Sequence, residues 1–278
     1  MLDILKAVLF GIVEGITEWL PISSTGHMIL VEEFVKMNVS EEFWNLFLVV
    51  IQLGAIMAVV ILFWKKIWPF GKKKKSGKFY IKTDIIMLWL KIVVACVPAA
   101  IVGVLFDDKL DELFYHPWCV AIALIVFGIA FIIIENRNKH MTPRITKLKD
   151  ISFQTAALIG VFQLIAAIFP GTSRSGATIV GALLIGVSRT VAAEFTFFLA
   201  IPVMFGASLL KLVKFGLAFT WMELGILVTG MAVSFVVSIV VIRFLMGYIK
   251  RHDFKVFVWY RIVLGAVVLL YFGVIAGM

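Results

Sequence analysis

Six stretches of the chain, at 43–63, 85–106, 118–134, 195–210, 219–242 and 257–275, are long, apolar and almost free of charge. About 20 such residues cross the ~30 Å hydrocarbon layer of a bilayer as an α-helix, so these runs commit the chain to a membrane. No water is present there to satisfy backbone N–H and C=O groups, which leaves helices and closed barrels as the only spanning structures. Barrel strands alternate apolar and polar residues, whereas these runs are solidly apolar, so the fold class is all-α and polytopic. Composition agrees. Of the 278 residues, 62% are hydrophobic and 15% charged, against roughly half and a quarter in soluble domains. The first apolar segment holds Glu14 and Glu18 where a secretory signal would carry small residues before its cleavage site, and it reads as retained. Cys96 and Cys119 fall in separate apolar segments and read as space-filling residues, not as a bridge.

The formal charge of +9 is unevenly spread. Lys65, Lys66, Lys72, Lys73, Lys74, Lys75, Lys78 and Lys82 crowd the loop 64–83, and Arg137, Lys139, Arg144, Lys147 and Lys149 the loop 135–150. Between them, the loop 107–116 sets Asp107, Asp108, Asp111 and Glu112 against Lys109 alone. Basic loops stay cytoplasmic, so the first two lie inside and the acidic one outside. Beside a membrane helix a lysine run serves retention and contact with anionic lipid, a better account of 64–83 than nucleic-acid binding.

A weak internal repeat divides the chain. Gly11-Ile12-Val13-Glu14 through Pro21-Ile22-Ser23-Ser24-Thr25 aligns with Gly160-Val161-Phe162-Gln163 through Pro170-Gly171-Thr172-Ser173-Arg174, and each copy continues to a glycine, Gly26 or Gly176. Glu42-Phe43 through Gly54-Ala55 aligns with Glu194-Phe195 through Gly206-Ala207. The expected organisation is one integral membrane domain over 1–278, with repeats over about 1–134 and about 151–278. Parity orients them. The run 43–63 must travel inward to reach its basic loop, and three spans separate residue 42 from residue 135. The run 195–210 therefore travels outward, and the Lys250-Arg251 loop falls inside, as a basic loop should. The repeats are inverted. In neither can the apolar stretch before the proline, 4–20 or 153–169, extend as a helix through Pro-Ile-Ser-Ser-Thr-Gly or Pro-Gly-Thr-Ser-Arg-Ser-Gly. Two re-entrant hairpins from opposite faces are expected, their tips meeting mid-protein, and broken helices in matching positions of inverted halves point to a binding site.

The tips carry the chemistry. Glu14 and Glu18 are four apart and share one helix face with no basic residue in pairing range. Uncompensated carboxylates in an apolar segment face a cavity, a cation or a proton path, and this pair suits Mg²⁺ or Ca²⁺. The competing reading is a helix end with ordinary solvated acids. Ser23, Ser24, Thr25 and His27 follow Pro21; one hydroxyl would cap the next helix, which leaves the others unexplained. Ser24 and His27, three apart, match the pairing of a nucleophile with its base. In the second tip, Gly171-Thr172-Ser173-Arg174-Ser175-Gly176, Arg174 is the only basic residue between Lys149 and Arg189. Its fork of donors fits a phosphate, and the flanking glycines allow close backbone approach. A structural pair with Glu14 or Glu18 is the plainer alternative, compatible with a phosphate site. His116, His140 and His252 read as surface residues, Glu42 and Glu194 as capping or interfacial, and Gln163 as a candidate cavity residue.

Neither a Gly-x-x-x-x-Gly-Lys-[Ser/Thr] loop nor a His-Glu-x-x-His pair is present. Thr-Gly-His and Ser-Arg are shared with the lipid phosphatases related to acid phosphatases, but the second histidine that family needs is missing from 175–181. Residues 11–27, Gly-Ile-Val-Glu-Gly-Ile-Thr-Glu-Trp-Leu-Pro-Ile-Ser-Ser-Thr-Gly-His, together with Pro-Gly-Thr-Ser-Arg-Ser-Gly at 170–176, closely resemble the undecaprenyl-diphosphatase family, the bacitracin-resistance membrane phosphatases. The resemblance covers the whole chain in length, segment order and repeat. It implies hydrolysis of undecaprenyl diphosphate to undecaprenyl phosphate and inorganic phosphate, which recycles the carrier for peptidoglycan, at a site open to the outer face of the bacterial plasma membrane. It also implies a divalent cation at Glu14 and Glu18, a serine–histidine pair at Ser24 and His27, and an arginine motif at Arg174 with Ser173. Ser23, Thr25, Gly171, Thr172, Ser175 and Gly176 complete the expected substrate contacts. The expected partners are a polyprenyl diphosphate and membrane lipids, with a homodimer as the assembly to test and no nucleic acid. Two other classes compete: a transporter of polyprenyl phosphate, and a scaffold for cell-wall enzymes.

Overall fold

The computed structural model describes residues 2–72, 79–216 and 218–275. The helices, in chain order, are α1 Leu2–Thr17, α2 Ser24–Phe34, α3 Glu41–Leu62, α4 Trp64–Ile67, α5 Thr83–Phe114, α6 Pro117–Asn138, α7 Phe153–Ile168, α8 Arg174–Ile185, α9 Arg189–Phe215, α10 Trp221–Tyr248 and α11 Lys255–Leu270. Six of the described helices, α3, α5, α6, α9, α10 and α11, have the length and apolar character of a membrane span. The protein is a multi-pass, all-α membrane protein. At α3 and α10 a polar side chain replaces the missing intrahelical partners of the first N–H groups. Ser40 accepts from the Phe43 N–H at 3.2 Å, and Thr220 forms a reciprocal capping box with Glu223.

At 16, 11, 16 and 12 residues, α1, α2, α7 and α8 are too short to cross. Each pair folds back at a proline-containing turn, as the sequence predicts. The two hairpins interlock with the spans: α1 packs on α10, α7 on α5, α3 on α9, and α6 on α11. Each hairpin thus leans on a span from the other half of the chain. Glycines permit the closest of these approaches. A β-carbon on Gly54 would lie 2.1 Å from the Met231 carbonyl oxygen of α10, and one on Gly160 2.4 Å from the Ala95 oxygen of α5. Gly54→Ala should therefore overpack the α3–α10 contact and destabilise the protein by roughly 1–3 kcal/mol, read as a lowered thermal midpoint in detergent.

Two expectations fail in the loops. The acidic segment 107–116 is mostly helix, because α5 runs on to Phe114. No proline or glycine interrupts Asp-Asp-Lys-Leu-Asp-Glu-Leu, so a helix that leaves the hydrocarbon continues into water until Pro117. The side chains of Asp107, Asp108 and Asp111 lie outside the described set. The basic loop 64–83 contains α4 and a two-stranded antiparallel ribbon pairing Phe70–Lys72 (β1) with Phe79–Ile81 (β2). Lys73, Lys74, Lys75 and Lys78 of the lysine run lie outside the described residues.

Candidate active site

The two turns are built alike. Ser23 precedes α2 and Ser173 precedes α8, with φ of 71° and 70°. Each Oγ accepts the N–H of the glycine three residues on, Gly26 at 3.3 Å and Gly176 at 3.1 Å. A non-glycine residue at positive φ costs about 1–3 kcal/mol and persists where surrounding structure enforces it, most often at functional sites. The turns also touch. Ser175 Oγ donates to the carbonyls of Glu18 and Leu20 at 3.1 and 3.3 Å. Ser175 is thus a pin between hairpins, buried at 1% exposure.

Across this junction runs a relay of charged and hydroxyl groups. Arg174 Nη2 donates to Glu18 Oε1 at 2.8 Å, and Ser24 Oγ donates to Glu18 Oε2 at 2.8 Å. Arg174 Nη1 donates to the Thr196 carbonyl at 3.2 Å, while its Nε is buried without a partner. Glu14, one helical turn before Glu18, is 1% exposed, and its Oε1 is buried and unpartnered. The structure therefore brings Glu14, Glu18, Ser24 and Arg174 together, with unused hydrogen-bonding capacity on both the acidic and the basic side. The Arg–Glu pair weighed from sequence is present, with Glu18 as its carboxylate.

The expected pair of Ser24 and His27 is not formed, because each has a different partner. His27 Nδ1 donates to the Ser23 carbonyl at 2.7 Å, and Nε2 meets the Tyr260 hydroxyl at 2.8 Å. A carbonyl only accepts, so Nδ1 carries a proton, and in the neutral ring Nε2 accepts from tyrosine. The imidazole and phenol rings stack at 5.5 Å with 10° between planes. Three residues of helix leave Ser24 facing Glu18 and turn His27 toward α11. His27 and Tyr260 end a groove of about 400 Å³ whose walls include Val13, Ile16, Leu20 and Val256.

The two turns thus gather a buried carboxylate pair, a hydroxyl bonded to Glu18 and a guanidinium. The model of the family described as Bacitracin resistance protein BacA matches residues 7–267. The chain belongs to the BacA family. It is 66% identical over 274 residues to Undecaprenyl-diphosphatase 1 of Clostridium acetobutylicum, covering 99% of both chains. It is 64% identical to the Undecaprenyl-diphosphatase of Desulfitobacterium hafniense, covering 98% of this chain and 97% of that one. The Undecaprenyl-diphosphatase of Enterococcus faecalis is likewise 64% identical, with 97% of each chain covered.

Within this BacA-family chain, one residue that sequence reasoning passed over organises both turns. Arg261 of α11 is fully buried. Its guanidinium donates to the carbonyls of Leu124, Pro21, Gly171 and Thr172 at 3.2, 3.4, 3.0 and 2.8 Å. Among the described residues it has no carboxylate partner; four carbonyl dipoles satisfy it. The signal was present, since a charged residue inside an apolar span is a functional candidate by default. Gly171 and Thr172, expected to contact substrate, thus turn their carbonyls to Arg261, and Gly171 sits at φ 91°. The Thr172 hydroxyl is buried without a partner, and a β-carbon on Gly176 would lie 2.9 Å from Arg261 Nη1. Thr25 is half-buried on the first turn of α2. Thr178 and Thr196 form a second missed layer, in which Thr196 Oγ1 donates to Thr178 Oγ1 at 2.9 Å and Thr178 Oγ1 to the Arg174 carbonyl at 2.8 Å. Gln163 is buried; its amide nitrogen reaches the Ala95 carbonyl of α5 at 3.5 Å, and its Oε1 finds no partner among the described residues. Glu194 pairs with Lys66 at 2.6 Å, and His116, His140 and His252 lie outside the site.

Proposed function

We propose that this chain hydrolyses undecaprenyl diphosphate to undecaprenyl phosphate and inorganic phosphate, and so confers bacitracin resistance by removing the diphosphate that bacitracin sequesters. The observation that carries the reading is the Ser24–Glu18–Arg174 relay, which joins nucleophile, base and phosphate clamp across two hairpin tips. The diphosphate takes the Arg174 guanidinium away from Glu18, and the unpartnered Nε strengthens that clamp. Ser24 Oγ attacks the terminal phosphorus, passing its proton to Glu18. The bond to the bridging oxygen breaks, and the leaving prenyl monophosphate takes a proton from Glu18. Water, deprotonated by His27 once Tyr260 lets go of Nε2, then attacks the phosphoserine phosphorus; the P–Oγ bond breaks, the imidazolium proton returns through Glu18 to the leaving Ser24 oxygen, and phosphate is freed. Positioning and charge supply most of the rate, as in other phosphoryl transfers.

The acidic pair fits a divalent cation. Glu14 Oε1 is a buried hard oxygen with no partner, and Glu18 Oε1 becomes free when substrate takes Arg174. Among the described residues no third His, Cys, Asp or Glu joins them, so water and substrate oxygens would complete the shell. Mg²⁺ or Ca²⁺ held there would neutralise charge on the diphosphate. Chelation with EDTA should abolish turnover and added Mg²⁺ or Ca²⁺ restore it. Glu14→Gln should raise the cation concentration giving half-maximal rate by about tenfold or more, read from a titration of the stripped enzyme.

The groove ending at His27 and Tyr260 is apolar and opens between α1 and α11, which suits the first isoprenoid units of a lipid diphosphate. The charge rule directs this first tip to the outer leaflet, so the site faces the outside. Tyr260→Phe removes the hydrogen bond that occupies His27 Nε2, so kcat should hold or rise, by up to about threefold, with the thermal midpoint near that of wild type. Phosphate release from farnesyl diphosphate by purified protein in detergent separates the enzyme from the transporter. A transporter or a scaffold would release none.

A further inference from the structure

At the opposite end of α8 from Arg174 lies a second cavity, of about 420 Å³, enclosed by the end of α6, the following loop, the α8–α9 junction and the end of α10. Twelve residues of α8 separate the two, about 18 Å at 1.5 Å per residue. Five cationic side chains line it, Arg137, Lys139, Arg144, Arg189 and Lys250, with no acidic residue among the lining. Three separate chain segments supply them.

The walls are held by backbone. The N–H groups of Arg144 and Ile145 donate to the Gly186 carbonyl at 2.8 and 3.2 Å, and the Ser188 N–H to the Ile145 carbonyl at 2.9 Å. Asn138 Nδ2 donates to the Leu183 carbonyl at 2.9 Å. Gly186, at φ 94°, ends α8 and turns the chain in the left-handed conformation glycine tolerates. Nearby carboxylates are committed elsewhere. Glu135 is buried and takes both Arg189 and the Phe254 N–H, and Asp253 pairs with Lys255. Arg137, Lys139, Arg144 and Lys250 have no carboxylate partner among the described residues.

The donors do not end with the cations. Ser188 occupies the N-cap position of α9, yet its side chain makes no capping bond, and its Oγ is buried without a partner. The positive end of a 27-residue helix thus opens on the same hollow. Four unpaired cations, an uncapped helix start and an idle buried hydroxyl call for an oxyanion. The rim is apolar, with Met141 46% and Leu184 38% exposed, and the cavity lies at helix ends on the face that the basic loops assign to the cytoplasm. Basic pockets between helices at this level are where acidic lipid headgroups bind.

We propose that this cavity binds the phosphodiester headgroup of an anionic phospholipid of the cytoplasmic leaflet. A free phosphate would use the cations but leave the apolar rim bare; a phospholipid covers both. The full-length protein, delipidated in detergent, is titrated with palmitoyl-oleoyl phosphatidylglycerol or the matching phosphatidylcholine, and the first bound lipid is measured by native mass spectrometry. Wild type should bind phosphatidylglycerol at least tenfold more tightly than phosphatidylcholine. The double substitution Arg137→Gln/Arg144→Gln should erase that preference. Lys147→Gln/Lys149→Gln, which removes the same charge from the α6–α7 loop outside the cavity, should change it less than twofold. Equal loss in both double variants, no preference in wild type, or displacement of bound lipid by millimolar inorganic phosphate would overturn the assignment.

Discussion

Arg174→Ala is expected to lower turnover of a prenyl diphosphate by about 10³-fold or more, the effect of removing a transition-state arginine from other phosphoryl-transfer sites. Arg174 is the group in the relay that a diphosphate can claim, and its positive charge is the one the second turn contributes. Its loss also leaves Glu18, 7% exposed, beside Glu14 with no counter-charge, and breaking a buried pair costs about 3–5 kcal/mol. Rate and fold must therefore be read together, by phosphate release and by thermal unfolding of the same sample. Arg174→Lys separates the two. A lysine keeps the charge next to Glu18 but loses the planar fork, so the thermal midpoint should return toward wild type while turnover stays at least tenfold low.

Arg261→Met should damage the fold more broadly. The methionine fills part of the volume but takes the Arg261 donors from the turn carbonyls of Pro21, Gly171 and Thr172, whereas Leu124 keeps the intrahelical N–H of α6. Each unsatisfied buried group costs about 1–3 kcal/mol, so a loss of about 3 kcal/mol or more is expected even when one or two carbonyls find water. Both hairpin turns are released at once, which places the defect at the site as well. The measurements are yield of monodisperse protein, thermal midpoint and turnover, with Arg261→Lys as the conservative variant. Lysine reaches fewer of the four carbonyls and should recover part of the stability. Wild-type stability in Arg261→Met would mean that the turns are held by the Ser175 contacts alone.

The fold was largely legible because bilayer physics constrains it so tightly. Solid apolar runs gave the spans, and proline with glycine at membrane depth gave the two hairpins. Helix ends were less legible: α5 extends through the acidic segment to Phe114, since charge on a helix that has left the hydrocarbon carries no signal to stop. The β1–β2 ribbon sits in a lysine-rich stretch where periodicity is too short to register. At the site, motif spacing brought out Glu14, Glu18, Ser24 and Arg174, which the structure clusters. Spacing alone could not choose partners. Ser24 and His27 are three apart on a helix, yet the first looks back to Glu18 and the second across to Tyr260, a residue more than 200 positions away. Arg261 stood out as a charge inside an apolar span, but its partners were hidden for a related reason, because they meet only where α11, α6 and both turns converge.

The most direct test of the relay is to find where the transferred phosphoryl group rests. Full-length protein turning over farnesyl diphosphate with its divalent cation is quenched in neutral detergent, which preserves both phosphoserine and phosphohistidine, and digested for mass spectrometry. A phosphoryl group on Ser24, lost together with turnover in Ser24→Ala, is the predicted result. A phosphoryl group on His27, or wild-type turnover by Ser24→Ala, would contradict it.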